Sequence, residues 1–456
     1  MPSEVQGKLF CRSVLTPQGW MENARIDIDA QGVITAVSPA DKVGSGGKQH
    51  GHVVPGMPNL HSHAFQRKMA GLAETSRGGK DDFWAWRETM YQLANHVTPQ
   101  HLQSIAAWLY AEMLEAGYTS CAEFHYVHHQ AGGDAFEDPS EMSAALLRAA
   151  DSCGMALTLL PVLYCRSGFD AQTVTERQRR FYNSPDSFLR LLEACRARIG
   201  TGSNHQLGWA PHSLRAVSGE QLKTVLESPV ATGLPLHIHV AEQPAEVEDC
   251  QAQLGARPVD YLLDHFPVGT NWCLVHATHL SDSELRRAAA SGAVAGLCPT
   301  TEADLGDGFF SVEAWLENGG AFGIGSDSNL RIDAAEELRL LEFGCRLRTL
   351  RRNVVSDGGA SCGRSLFQRA VVGGATALAQ NTGKIEPGCR ADFVELNANH
   401  PLLEGREQDA VLDSWIFAGG PELVRSVWVA GRLCVEEGVH VRKEALKVPF
   451  RELARL

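Results

Sequence analysis

Residues 236–242 read LHIHVAE, and this run decides the fold. Strand geometry sends alternate side chains to opposite faces, so His237 and His239 share one face while Ile238 and Val240 occupy the other. Polar residues at the end of an apolar strand are costly to bury without partners, which marks a strand whose end opens into a site. LHSH at 60–63, CLVHATH at 273–279 and GIGSDS at 323–328 have the same character. Further apolar runs near 118–126, 155–164, 206–212 and 293–298 lie between these, separated by longer helical stretches. The best-marked helix has Thr98 as N-cap and Pro99 at its first position; Leu102, Ile105, Ala106, Leu109 and Met113 recur at helical spacing, and Gly117 ends the run. Eight strands alternating with helices predict an α/β chain whose residues 56–380 form a (β/α)8 TIM-like barrel, with its functional residues at the C-terminal ends of the strands.

The two ends of the chain change period. Residues 24–29 alternate apolar and polar, turn at Ala30-Gln31-Gly32 and resume at 33–37. Residues 391–396, 426–430 and, after Gly431, 433–435 repeat the pattern. Segments 1–55 and 381–456 are therefore expected to share one small β-sandwich domain. The glycine-rich stretches at 44–47 and 357–360 read as flexible loop tips.

With 456 residues, 44% of them hydrophobic, the chain is long enough for one large and one small core. Its formal charge of −13 argues against nucleic acid or an anionic membrane as partner and directs attention to a small-molecule substrate, whose own charges local arginines would have to meet. Twelve cysteines are scattered singly, without metal-knuckle or disulfide spacing, which suits a reducing cytoplasm. The first residues, MPSEVQGKLF, lack a basic stretch followed by an apolar one, and no apolar run approaches the roughly 20 residues of a membrane span.

The strand ends carry the chemistry. His61 and His63 lie on one face of an extended segment and can converge on a single ion. His239 stands nearer the open end than His237, which is either a rival ligand or a hydrogen-bonded core histidine. Glu242, just past the strand, can reach a metal-activated water without coordinating the metal, as a proton-transferring carboxylate must. Asp327 reads as a ligand or a helix N-cap, and His276 as functional or as a satisfied core residue. Four such motifs at the ends of strands one, five, six and eight together point to a metal-dependent hydrolase.

The runs LHSHAFQRKMAGLAE, EFHYVHH, HSLRAV, HIHVAEQ, LVHATH and GIGSDS resemble the amidohydrolase superfamily, and the resemblance spans nearly the whole chain. It implies one divalent ion, zinc or else iron, held by His61, His63, His239 and Asp327; a proton shuttle at Glu242; His276 assisting beside the metal; and Asp327 orienting the attacking water. It further implies hydrolysis of a linear amidine C–N bond, that of N-formimino-L-glutamate, to N-formyl-L-glutamate and ammonia in histidine degradation. Gln66, Arg87, Tyr126, His212 and Arg215 are the implied substrate contacts, and a homodimer the implied assembly. Guanidinium groups suit a dicarboxylate because their planar donors match both oxygens of a carboxylate. Binuclear members of the superfamily carry a bridging lysine on strand four; residues 206–212 contain none, hence the single ion. Asn329 stands where the resemblance leads one to expect histidine, and the following Leu330-Arg331 opens a loop that could tune substrate preference. Two alternatives stay open: a related deaminase acting on a purine, pterin or other ring amidine, and a metal-free scaffold.

Overall fold

A computed structural model describes residues 5, 7–40, 49–74, 83–171, 173–202, 204–356, 358–359 and 361–454, with no side-chain detail at 83–85. The loop tip at 44–47 and residues 357 and 360 lie outside the described residues.

The expected barrel is present. Its strands are Met57–Ser62, Tyr118–His125, Ala156–Leu163, a fourth made of Gln206–Leu207 and Ala210–Pro211, then Leu236–Val240, Trp272–His276, Val294–Leu297 and Ala321–Ile324. Neighbouring strands pair in parallel from the fifth through the eighth and first to the fourth. The ring closes where Trp209 bridges Leu236, with the His237 amide donating to the Trp209 carbonyl at 3.1 Å. Strand four is interrupted at residues 208–209, and only glycine fits at Gly208, where a Cβ would sit 2.5 Å from Leu160 and 2.8 Å from the Pro235 carbonyl. The strands are buried on both faces and largely apolar, with side chains such as Leu60, Ile238, Val275 and Phe322 fully buried.

The expected helix runs Pro99–Glu115, capped by the Thr98 hydroxyl accepting from the His101 amide at 3.2 Å. Ala116 is its C-cap, and Gly117 takes φ of 92° to turn the chain into strand two.

Strands Lys8–Thr16, Gly19–Ile28, Ile34–Pro39 and Gln49–Pro55 join Phe393–Leu396, Val424–Val429, Arg432–Glu436 and Val439–His440 in one sheet. The two ends of the chain meet where Gln49–Pro55 pairs antiparallel with Phe393–Leu396. This sheet folds over its own core of Leu9, Ile26, Val53, Phe393 and Trp428, and Gly32 approaches Ala430 so closely that a Cβ would lie 2.2 Å from its carbonyl oxygen. The C-terminal segment also supplies helices that a strand-only reading of it leaves out. Asp409–Ala418 packs on Cys362–Ala377 and Ala334–Thr349, while Lys443–Glu452 packs on Pro99–Glu115, with Phe450 stacked 5.4 Å from Trp108. Among the described residues no helix is long and apolar enough to cross a membrane.

Candidate metal centre and substrate pocket

The ends of strands one, five and eight bring His61, His63, His239 and Asp327 together, with one ligand atom of each within 4.8 Å of the others. Nε2 of His61 lies 3.2 Å from Nε2 of His63 and 3.0 Å from Nε2 of His239. Oδ1 of Asp327 is 3.4 Å from the first nitrogen and 3.2 Å from the second. All four residues are buried.

Local structure enforces this convergence. Nδ1 of His63 donates to the Phe124 carbonyl at 2.9 Å, which leaves its Nε2 lone pair facing the cluster. Gly325 lets strand eight press on strand one, since a Cβ there would meet His61 atoms at 2.8–2.9 Å. The Asp327 amide donates to the His61 carbonyl at 2.9 Å, and the His63 amide returns the bond to the Asp327 carbonyl at 3.0 Å. Ala241, His276, Ala277 and Asp327 all take positive φ (51°, 66°, 49° and 44°), so backbone strain concentrates at the barrel mouth.

Protonation states suit a cation. Burial pulls His61 down to about 3 and His239 well below its ordinary range, which keeps both imidazoles neutral with a lone pair to give. Burial alone would raise Asp327, but the close-lying rings of His61 and His63, and then His276, hold it well below the usual carboxylate range. Three imidazole nitrogens crowded around an anion are stable together when a positive charge sits among them, and the donor set fits a divalent metal of the zinc or iron(II) kind. His276, Cys298 and Asp327 form an adjoining group. Burial keeps the Cys298 thiol protonated by raising its pKa far above the ordinary value, which makes it a poor ligand.

His237 resolves as a core residue. Its Nε2 bonds the Ala377 carbonyl at 2.8 Å, a layer below the cluster. His276 lies at the rim: Nδ1 faces Glu302 Oε1 at 3.3 Å, and Nε2 faces Glu242 Oε1 at 3.8 Å and Asp327 Oδ2 at 3.7 Å. Burial would lower it, but Glu242, Glu302 and Asp327 together raise it to about 10. A cation at the centre would counter part of that rise. Glu242 hangs over the cluster without joining it, its Oε2 3.5 Å from Arg215 Nη2. Its turn is pinned by Glu246, whose carboxylate accepts the amides of Ala241 and Glu242 at 3.2 Å each.

The cavity above the cluster is lined by Gln66, Arg87, Tyr126, His212, Arg215 and Glu242, so every expected substrate contact lies in one place. Gln66 Nε2 donates to Tyr126 Oη at 2.9 Å, and its Oε1 has no partner among the described residues. Burial and the guanidiniums of Arg215 and Arg87 keep His212 well below its ordinary pKa. Through Arg87, His212 and Arg215 this cavity borders an outer chamber of about 270 Å³.

Matches to known proteins agree with this arrangement. The amidohydrolase family profile covers residues 52–434, and that of the formimidoylglutamate deiminase HutF N-terminal domain covers residues 8–51. The formimidoylglutamate deiminase of Pseudomonas aeruginosa is 48% identical over 440 residues, 96% of each chain. This chain belongs to the amidohydrolase family, in its formimidoylglutamate deiminase branch. An amidohydrolase structure from Brucella melitensis superposes with a TM-score of 0.93 at 46% identity over 99% of both chains. A zinc-bound adenosine deaminase from Xanthomonas campestris shares the fold, with a TM-score of 0.81 at 20% identity over 100% of both chains. The chain is accordingly a metal-dependent hydrolase of this family.

Three residues near the site escaped the sequence reading. Glu302 backs His276, and a carboxylate in the first turn after an apolar strand was its only signal. Glu123, inside EFHYVHH, accepts from Ser62 Oγ at 3.0 Å, the Ala64 amide at 2.6 Å and Tyr110 Oη at 3.1 Å, bracing both sides of His63. Tyr164 borders the outer chamber one residue past strand three. Asn329 is fully buried and serves as a clasp: its Nδ2 donates to Ser62 Oγ, the His63 carbonyl and the Asp327 carbonyl at 3.2, 3.1 and 3.0 Å. Leu330 lines a neighbouring groove with Gln66.

Proposed function

We propose that the protein hydrolyses N-formimino-L-glutamate to N-formyl-L-glutamate and ammonia, with a single zinc ion held by His61, His63, His239 and Asp327. The observation that carries this reading is the placing of a four-residue ligand cluster and two guanidiniums, Arg87 and Arg215, on one cavity. When bound, the ion would bring the pKa of a water to around 7 and supply a nucleophile at cellular pH.

The chain's own residues do the rest. Glu242 accepts the proton released by the attacking water and passes it to the departing nitrogen, which leaves as ammonia. Asp327 orients the water, and His276 Nε2, facing the same space, stabilises charge as it builds on the incoming oxygen. The unpartnered Gln66 Oε1 accepts from an amidine N–H. Arg87 and Arg215 take the two carboxylates, with Tyr126 and His212 closing the wall between them. Water adds, the C–N bond to the terminal nitrogen breaks, and the formyl group stays on glutamate. The reading includes a cytoplasmic homodimer; the twelve cysteines, all buried and unpaired, suit a reducing compartment.

The test is ammonia release by purified protein from N-formimino-L-glutamate, guanine and adenosine, with metal quantitation of the same sample. Turnover of the first alone, with one zinc per chain, is expected; turnover of a heterocycle in its place would sink the reading.

A further inference from the structure

Arg87 is held over the outer chamber by two phenols. Its Nη2 donates to Tyr164 Oη at 3.3 Å, and its guanidinium lies 5.2 Å from the centre of the Tyr91 ring. A single buried amide ties the phenols together: Gln178 Nε2 donates to Tyr91 Oη at 2.8 Å and to Tyr164 Oη at 2.9 Å.

The orientation of that amide is determined by its other end. Gln178 Oε1 accepts the Thr175 amide at 3.0 Å and the Thr175 hydroxyl at 2.9 Å, so the oxygen must face Thr175 and the NH2 must face the phenols. An NH2 group and a guanidinium only donate. Tyr164 Oη therefore uses its acceptor capacity on Gln178 and Arg87, and its own hydrogen is left to donate. A carboxylate entering the chamber is a strong acceptor for it because it is charged. Asp170 and Asp249 also line the chamber and repel a carboxylate, which favours the side that carries Arg87, Tyr164 and Arg215.

We propose that Tyr164 is a substrate-binding residue that, with Arg87, grips one carboxylate of the substrate, and that Gln178 is the positioning residue that turns the phenol into a donor. The proposal rests on the dicarboxylate reading above. A face made only of donors accepts a carboxylate and rejects the corresponding carboxamide, whose NH2 would meet donors with donors.

Tyr164→Phe removes the hydroxyl and keeps the ring. In zinc-loaded enzyme, ammonia release is measured with N-formimino-L-glutamate and with its side-chain amide, N-formimino-L-glutamine, and glutarate binding is followed by calorimetry. For Tyr164→Phe, KM for the dicarboxylate is expected to rise roughly 10- to 100-fold, the worth of one hydrogen bond to a charged group. Its kcat should stay within about twofold, its preference over the amide should fall by the same factor, and glutarate should weaken in parallel. Gln178→Met should shift KM in the same direction with zinc content unchanged. Unchanged KM and unchanged glutarate affinity in Tyr164→Phe, or a loss confined to kcat, would overturn the assignment. A wild-type enzyme that turns over neither substrate defeats the function proposed above, while the glutarate comparison still decides the role of Tyr164.

Discussion

Glu302 Oε1 lies 3.3 Å from Nδ1 of His276 and accepts the backbone amide of Cys298 at 2.9 Å, so one carboxylate both caps a helix and orients a ring. A carboxylate only accepts, so Nδ1 carries the hydrogen and Nε2 is turned towards Glu242 and Asp327. Glu302→Gln keeps an acceptor for Cys298 but removes the charge; kcat should fall about 10- to 100-fold with little change in melting temperature. Glu302→Ala should lose the cap as well and melt earlier. Full activity in Glu302→Gln would remove the pair from the mechanism.

Glu242 overhangs the metal cluster without contacting it, its Oε2 3.5 Å from Arg215. Glu242→Gln should bind metal and fold as the wild type does while turnover drops about 10²- to 10⁴-fold, the usual span for a lost proton shuttle. Metal content and the rate of ammonia release, measured on one preparation, check this; an undiminished rate assigns proton transfer elsewhere.

Asn329 spans strands one and eight by bonding Ser62, His63 and Asp327 at once. Asn329→Ala removes one bond from each of Ser62, His63 and Asp327, and leaves the Ser326 hydroxyl, which donates to Asn329 Oδ1 at 2.6 Å, without that acceptor. A destabilisation of about 2–4 kcal/mol is expected in urea denaturation, together with weaker metal retention against a chelator, because His63 and Asp327 lose their shared anchor. Stability lost without any change in metal retention would confine Asn329 to a packing role.

His128 is buried, with Nε2 bonded to the Val162 carbonyl at 2.9 Å, and burial, then His129, pull its pKa down to about 3. The unfolded chain binds a proton at this residue near pH 6.5 and the native state does not. Its contribution is therefore fully present above pH 6.5 and is lost as pH falls towards 3. Between pH 7 and pH 5 the loss is about 2 kcal/mol. Urea denaturation of His128→Gln at both pH values should show a pH dependence flatter by that amount; identical dependences would mean that the native residue is protonated.

Much of the fold was legible because barrel strands are short, apolar and end abruptly in polar residues. LHSH, HIHVAE, LVHATH and GIGSDS each mark such an end, and the helix after Thr98 announces itself by its cap and first-turn proline. The helices Asp409–Ala418 and Lys443–Glu452 were missed because each buries only a narrow stripe on the barrel's own helices, and Lys443–Glu452 also carries Pro449, which reads as a breaker. At the site, strand period puts His237 and His239 on one face and favours His239, the nearer to the open end, but leaves His237 as a rival. Their difference lies in depth, which depends on how far strand five rises beside strand six.

By itself the sequence determined the barrel, the residues at its mouth and the chemistry that they can perform, since strand period, strand-end polarity and donor type are local properties. The tertiary structure decided which of those residues work together. It separated His237 from the cluster, set Glu242 over it, and made Asn329 a clasp. It also revealed Glu302 behind His276 and the Gln178 amide behind Tyr164 and Arg87. These partnerships join residues from 14 to 267 positions apart, or bridge different strand ends, and distance in sequence carries no record of them. Only closure of the barrel, with Trp209 against Leu236 and Ser62 against Asp327, brings their atoms within hydrogen-bond reach.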